Sequence, residues 1–107
     1  MNVPEVEVRA VPGDAFLLDV REPEEWQAGH APAAAHIPLM QLPQRLDEVP
    51  TDVPVYVICR SGHRSAHATA WLNRNGRDAT NVEGGMQAWA AAGREMTAEN
   101  GGEPYVA

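Results

Sequence analysis

The pattern of hydrophobic and polar positions along the chain alternates between segments with the spacing of strands and segments with the spacing of helices. Val6 and Val8 alternate with charged residues, which predicts a short edge strand with one face in solvent. Continuous apolar runs at 15–20 and 53–58 predict strands covered on both faces, with Pro54 at the entry of the second. Two shorter segments, 34–38 and 78–82, complete a set of five predicted strands.

Helical signals fall between these strands. Residues 22–29 have an early proline, acidic residues in the first turn and a closing glycine, which is typical of a short helix whose acidic run Glu22–Glu25 lies in solvent. Apolar residues at helical spacing predict a helical segment over 39–49, and further helices are predicted over 65–76 and 86–92. The alternation predicts an α/β fold: a central, mostly parallel sheet of about five strands with helices on both faces.

The length of 107 residues allows one domain. We predict that the domain spans residues 1–93. Residues 94–107 contain glycines and a proline with little apolar content, so we expect a loosely ordered C-terminal tail.

Charge and composition narrow the classes of function. The formal net charge is −7 and all eight basic residues are arginine, which excludes lysine Schiff-base chemistry and disfavours binding to nucleic acid or to an anionic membrane. No signal peptide and no apolar run of membrane-spanning length is visible, and the single cysteine cannot form an internal disulfide. We therefore expect a cytoplasmic protein, either a monomer or a homodimer.

The position of Cys59 is the most informative feature of the sequence. It stands where a buried strand meets a loop that enters a helix, and helix N-termini favour a thiolate over a thiol. Gly62 allows the loop to curl, and Arg60, His63 and Arg64 concentrate positive charge beside the sulfur. A lone cysteine after an apolar strand is often only a small buried hydrophobic residue. The polar residues that follow do not continue a core, and they favour a reactive thiolate.

The chain resembles single-domain rhodaneses, which are sulfurtransferases, over roughly residues 16–93. The resemblance rests on four stretches in the right order: Leu18-Asp-Val-Arg-Glu-Pro-Glu-Glu-Trp26, Gly29-His-Ala-Pro-Ala-Ala-Ala-His-Ile-Pro-Leu39, Cys59-Arg-Ser-Gly-His-Arg-Ser65 and Asn81-Val-Glu-Gly-Gly-Met-Gln-Ala-Trp-Ala-Ala-Ala-Gly93. In the second stretch, Ala31 and Ala33 stand where the family usually has isoleucine and glycine, which concerns local packing rather than the cysteine loop.

The resemblance implies a rhodanese-like fold and a sulfurtransferase that needs no cofactor. Sulfane sulfur would pass from a small anionic donor, thiosulfate or a persulfide, to Cys59 and then to cyanide, a thiol or a sulfur-accepting protein. Substrate binding would fall to the loop that follows the cysteine, namely Arg60, Ser61, Gly62, His63, Arg64 and Ser65. In this reading Arg64 fixes the shape and charge of the loop, while Arg60 and His63 face its opening.

The length and composition of the cysteine loop bear on other cysteine-dependent functions. Cysteine-dependent phosphatases use a Cys-x5-Arg loop, whereas Cys59 and Arg64 form a shorter Cys-x4-Arg loop that suits a single sulfur atom. The Cys-Gly-Ser/Thr-Gly loop of mercaptopyruvate sulfurtransferases is absent. A non-catalytic or sulfur-sensing rhodanese module that binds a partner protein stays open as an alternative, because a sensor would also keep Cys59.

Two further residues are assigned structural positions, and a pair of histidines is considered as a metal site. Asp19 and Arg21 end the second predicted strand, and we expect them to pair with neighbours and hold the loops near the site. His63 and His67 are four residues apart without a clear third ligand, so no metal site is predicted.

Overall fold

The computed structural model describes residues 2–107, and its centre is one sheet of five strands. The strands are β1 (Glu5–Val6), β2 (Phe16–Asp19), β3 (Ala35–His36), β4 (Pro54–Ile58) and β5 (Asp78–Val82). They lie in the order β1-β5-β4-β2-β3, and every neighbouring pair is parallel. The predicted α/β architecture is confirmed, and Pro54 stands at the first position of β4, where its missing N–H is tolerated.

Three helices connect and cover the strands: α1 (Pro23–Ala28), α2 (His63–Arg74) and α3 (Gly85–Ala91). Val57 and Cys59 pack in one hydrophobic cluster with Leu72 of α2. Ile58, which points to the opposite face, packs in a second cluster with Met86 of α3. Each fully buried aliphatic side chain contributes about 1.5–3 kcal/mol through its removal from water. The alternation along β4 therefore fixes which face each helix covers.

Two predicted elements are corrected by the structure. The segment 39–49 is not an α-helix but two turns of 3-10 helix, Leu39–Gln41 and Leu46–Glu48. Pro43 lies between the two turns and has no N–H to donate, so α-helical hydrogen bonding cannot continue through the segment. The first strand also ends early, because Val8 begins a 3-10 turn and is buried there.

The C-terminal segment 94–107, whose composition predicted loose order, lies against the C-terminal end of α1. Thr97 and His30 exchange backbone hydrogen bonds of 2.8 and 2.9 Å, and the Tyr105 N–H donates to the last carbonyl of α1 at 3.0 Å. Gly29 makes this approach possible, because a Cβ there would lie 2.8 Å from the backbone nitrogen of Tyr105. Composition alone did not reveal these backbone partners.

None of the helices within residues 2–107 is both long enough and apolar enough to cross a membrane.

Candidate active site

Cys59 directly follows β4 and lies under the first turn of α2 with 1% of its surface exposed. Its Sγ accepts three hydrogen bonds: from the Gly62 N–H at 3.1 Å, the Ser65 N–H at 3.3 Å and the Ser65 hydroxyl at 3.2 Å. The N–H groups of the first helical turn have no partner within the helix, so they are free to converge on the sulfur.

These donors decide the ionisation of the thiol. Burial of Cys59 opposes its ionisation, but the hydroxyl of Ser65 and the backbone N–H groups of Ser65, Gly62 and Ser61 outweigh that effect and lower the pKa of Cys59. A cysteine with a lowered pKa is present as thiolate at neutral pH to a greater extent than a free cysteine, and the thiolate is the nucleophile. The site can therefore supply a nucleophilic thiolate.

The loop backbone is held by the N-terminus of α3. The Met86 N–H donates to the Cys59 carbonyl at 2.8 Å, and the Gln87 N–H donates to the Arg60 carbonyl at 3.0 Å. These bonds fix the first two carbonyls of the loop on α3. Gly85 permits the approach: its φ is +56°, and a Cβ there would lie 2.7 Å from the Arg60 carbonyl. Gly85 thus allows α3 to lie against the loop.

Arg64 is fixed by an acidic residue of α1. Its guanidinium donates two hydrogen bonds to the carboxylate of Glu25, at 2.7 and 2.9 Å. The hydrogen bond from Arg64, opposed by partial burial, lowers the pKa of Glu25. The interpretation of Glu22–Glu25 as a solvated acidic run is therefore wrong for Glu25, whose side chain is 18% exposed. Sequence pattern could not reveal this pair, since its members are far apart along the chain.

Asp19 and Arg21 form a buried ion pair at the carboxyl end of β2. Both side chains are fully buried, and the closest distance between the guanidinium and the carboxylate is 2.8 Å. Arg21 also donates to the carbonyl of Gly29 at 2.8 Å, while its own carbonyl pairs with the ring of His36. The pair therefore connects the end of β2 with the segment after α1 and with β3, and neither side chain bonds to the sulfur of Cys59.

Three side chains of the loop form the rim of the site instead of contacting the sulfur. Arg60, Ser61 and His63 are all exposed, and none of their side chains bonds to Sγ. The guanidinium of Arg60 donates from Nε to the carbonyl of Ala107 at 2.9 Å. The loop thus presents backbone donors inward and positive charge outward. No group of three or more His, Cys, Asp or Glu side chains in residues 2–107 is arranged to hold a metal ion.

One further side chain touches the loop and was not singled out from the sequence. Asn81 of β5 is fully buried, and its side-chain nitrogen donates to the Gly62 carbonyl at 3.1 Å. The available signal was a polar amide within a predicted strand, two residues after Ala79 and directly before Val82, both of which are buried.

Comparisons with known proteins show relatives of this chain. A family model described as Rhodanese-like domain matches residues 5–92. The uncharacterized protein YqhL of Bacillus subtilis (strain 168) is 45% identical over 86 residues, which cover 79% of this chain and 68% of that protein. A sulfurtransferase of Allochromatium vinosum is 39% identical over 89 residues, which cover 82% of this chain and 83% of that protein.

A solved structure shares the fold. The crystal structure of a rhodanese-related protein from Thermoplasma volcanium aligns with a TM-score of 0.83 and 30% sequence identity, covering 88% of this chain and 97% of that chain.

Proposed function

Because this chain belongs to the rhodanese-like sulfurtransferase family, we propose that it transfers sulfane sulfur through a persulfide on Cys59. The donor is thiosulfate or a small persulfide, and the acceptor is a thiol or, in the assay, cyanide. The observation that carries the proposal is the convergence of the Gly62 N–H, the Ser65 N–H and the Ser65 hydroxyl on one sulfur atom.

In the first half-reaction, the Cys59 thiolate attacks the outer sulfur of thiosulfate. The new bond joins Sγ to that sulfur, the sulfur–sulfur bond of the donor breaks, and sulfite leaves with the bonding electron pair. The product is a cysteine persulfide anion. The loop N–H groups, which already point at Sγ, stabilise this anion as an oxyanion hole stabilises developing charge on oxygen.

In the second half-reaction, the acceptor attacks the outer sulfur of the persulfide. The sulfur–sulfur bond breaks, and its electron pair returns to Sγ as the thiolate. Cyanide leaves as thiocyanate, and a thiolate acceptor leaves as a persulfide. No base is needed at Cys59, because its lowered pKa already favours the thiolate.

Access to the sulfur restricts the donor. Cys59 is only 1% exposed, so a donor with a terminal sulfane sulfur on a narrow group fits better than one with a bulky reactive centre. The charge of Arg60 and the ring N–H of His63 at the rim favour an anion in a protein whose net charge is −7. Arg64 adds less free charge, because Glu25 is already bound to it. These features support thiosulfate or a hydropersulfide as donor.

The experiment is an intact-mass measurement on the reduced protein after incubation with thiosulfate. We expect a gain of one sulfur atom, which cyanide removes with formation of thiocyanate. Since Cys59 is the only cysteine, the matched variant Cys59→Ser should gain nothing while it keeps the same fold by circular dichroism.

Turnover separates the enzyme from a sulfur-sensing module. With excess thiosulfate and cyanide we expect many molecules of thiocyanate per protein chain. A single turnover would support the sensing module instead. Sulfur transfer by folded Cys59→Ser would refute the mechanism.

A further inference from the structure

The side chain of Asn81 uses only its nitrogen. Its Nδ2 donates to the Gly62 carbonyl at 3.1 Å and to the Glu5 carboxylate at 2.9 Å. Its Oδ1 is buried and has no hydrogen-bond partner within residues 2–107. An unpaired buried oxygen costs about 1–3 kcal/mol, so a leucine of similar size would avoid a penalty that asparagine carries. The stability of the core therefore does not explain the asparagine. Its two hydrogen bonds, to the Gly62 carbonyl and to the Glu5 carboxylate, explain it better.

The Asn81 amide holds the Gly62 carbonyl, which lies at the turn from the loop into α2. Gly62 has a φ of +104°, and its carbonyl accepts both the Asn81 amide and the Ala66 N–H, the latter at 3.2 Å. On its other side, the N–H of Gly62 donates to Sγ of Cys59 at 3.1 Å. Glycine is the residue with the fewest steric restraints on its backbone, so external contacts must set its orientation.

Glu5 holds the amide from the opposite side. It lies directly across from Asn81 in the register of β1 and β5, and it is exposed to solvent. Its carboxylate accepts one N–H of the amide, which leaves the other N–H aimed at Gly62. The edge strand β1 is thus linked to the cysteine loop through the side chains of Glu5 and Asn81.

We propose that Asn81 is a positioning residue for the nucleophile: it holds the Gly62 carbonyl so that the Gly62 N–H stays aimed at Sγ of Cys59, and Glu5 orients the amide. The inference rests on the proposed function for its biological meaning. The experiment that tests it is independent of that function, because it measures the ionisation of Cys59 directly.

The test is the pH dependence of Cys59 alkylation by iodoacetamide, which reports only this residue because the chain has one cysteine. In Asn81→Leu the volume is kept and both donors are lost. We expect the midpoint of the alkylation profile to rise by about one pH unit, so that the rate below the midpoint falls about tenfold. An unchanged profile in the folded variant would overturn the proposal.

Asn73→Leu is the matched amide control. Asn73 of α2 bonds to the backbone of Ala79 with both its oxygen and its nitrogen and does not touch the loop. We expect it to lower the free energy of unfolding and to leave the alkylation midpoint unchanged. An equal rise of the midpoint in this variant would contradict a specific role of Asn81.

Glu5 offers a second test at an exposed position, where folding is not at risk. Removing a carboxylate near a thiolate should by charge alone lower the pKa of Cys59, whereas a loosened Asn81 should raise it. We expect Glu5→Ala to slow alkylation at neutral pH two- to threefold, and Glu5→Gln, which keeps an acceptor oxygen, to restore the rate. Glu7→Ala removes the same charge at a neighbouring exposed residue and should not slow alkylation. Faster alkylation in Glu5→Ala would refute the proposed orientation of the amide.

The results distinguish this proposal from the proposed function. A shifted alkylation profile without any uptake of sulfur, from thiosulfate or from a small persulfide, would support the role of Asn81 and refute the persulfide on Cys59. Repeated sulfur transfer with an unshifted profile in Asn81→Leu would support the sulfurtransferase and refute the role of Asn81.

Discussion

The guanidinium of Arg64 and the carboxylate of Glu25 form a two-point ion pair, with N–O distances of 2.7 and 2.9 Å, that joins the first turn of α2 to α1. The same carboxylate accepts the backbone N–H of Glu22 at 2.9 Å and so closes the N-terminus of α1. One acidic side chain therefore both begins a helix and fixes the cation beside Cys59. Two-point geometry of this kind restrains direction as well as distance.

The first prediction concerns this pair. In Glu25→Gln the amide can accept a hydrogen bond but carries no charge, so Arg64 loses its fixed position. We expect sulfur-transfer kcat/KM to fall about tenfold and the free energy of unfolding to fall by about 1 kcal/mol, since the pair is partly exposed. Steady-state thiocyanate formation and urea denaturation measure the two effects. Glu24→Gln makes the same change at an exposed position of α1, and an equal loss there would count against the pair.

The second prediction concerns the hydroxyl of Ser65. It is fully buried and donates to Sγ of Cys59, so Ser65→Ala removes that donor with little change in packing. We expect the pKa of Cys59 to rise and alkylation below that pKa to slow about three- to tenfold. Ser61→Ala changes an exposed hydroxyl of the same loop and serves as the control. The role assigned to Ser65 fails if the two variants have the same pH profile.

The third prediction separates backbone strain from damage to the site. Gly85 and Gly76 both have positive φ, +56° and +81°, but only at Gly85 would a Cβ collide with the cysteine loop; nothing lies within 4 Å at Gly76. We expect Gly76→Ala to lose about 1–2 kcal/mol of stability from the unfavourable backbone alone. Gly85→Ala should lose more, because its Cβ would also meet the backbone of Cys59 and Arg60. Only Gly85→Ala should also slow sulfur transfer by about tenfold or more, since it displaces oriented donors. Equal activity in both variants would refute the role given to α3.

The sequence predicted the parts of the site that are continuous along the chain. The apolar run of β4, the cysteine after it and the glycine within the next loop are local signals, and together they indicate a thiolate at a helix N-terminus. The strand β5 was predicted with the bounds 78–82 that the structure has, because apolar and turn residues delimit it closely.

What the sequence did not predict depends on contacts between distant segments. Glu25 looked like one more acid in a solvated turn, because nothing local shows that Arg64 reaches it. Asn81 looked like an ordinary polar strand residue, because its partners lie in β1 and in the cysteine loop. The two 3-10 turns in 39–49 were missed for a local reason: helical spacing outweighed the effect of Pro43 in that interpretation.

The last prediction is a dependence of stability on pH that belongs to Cys59 alone. Its pKa is lowered in the native state, so between that value and the ordinary value of about 8.5 the native protein has released a proton that the unfolded chain still binds. Stability therefore rises with pH through this window, stays constant above it and loses the contribution as pH falls through the native pKa.

Urea denaturation measures this contribution when the wild-type protein is compared with Cys59→Ser, because serine does not titrate in this range. The comparison is made under reducing conditions between about pH 6 and pH 10. We expect the difference in free energy of unfolding, wild type minus variant, to increase with pH by about 1.4 kcal/mol for each unit by which the pKa is lowered. A difference that decreases with pH would mean that burial of the thiol outweighs its hydrogen bonds, and the donors converging on Sγ would then not stabilise an anion.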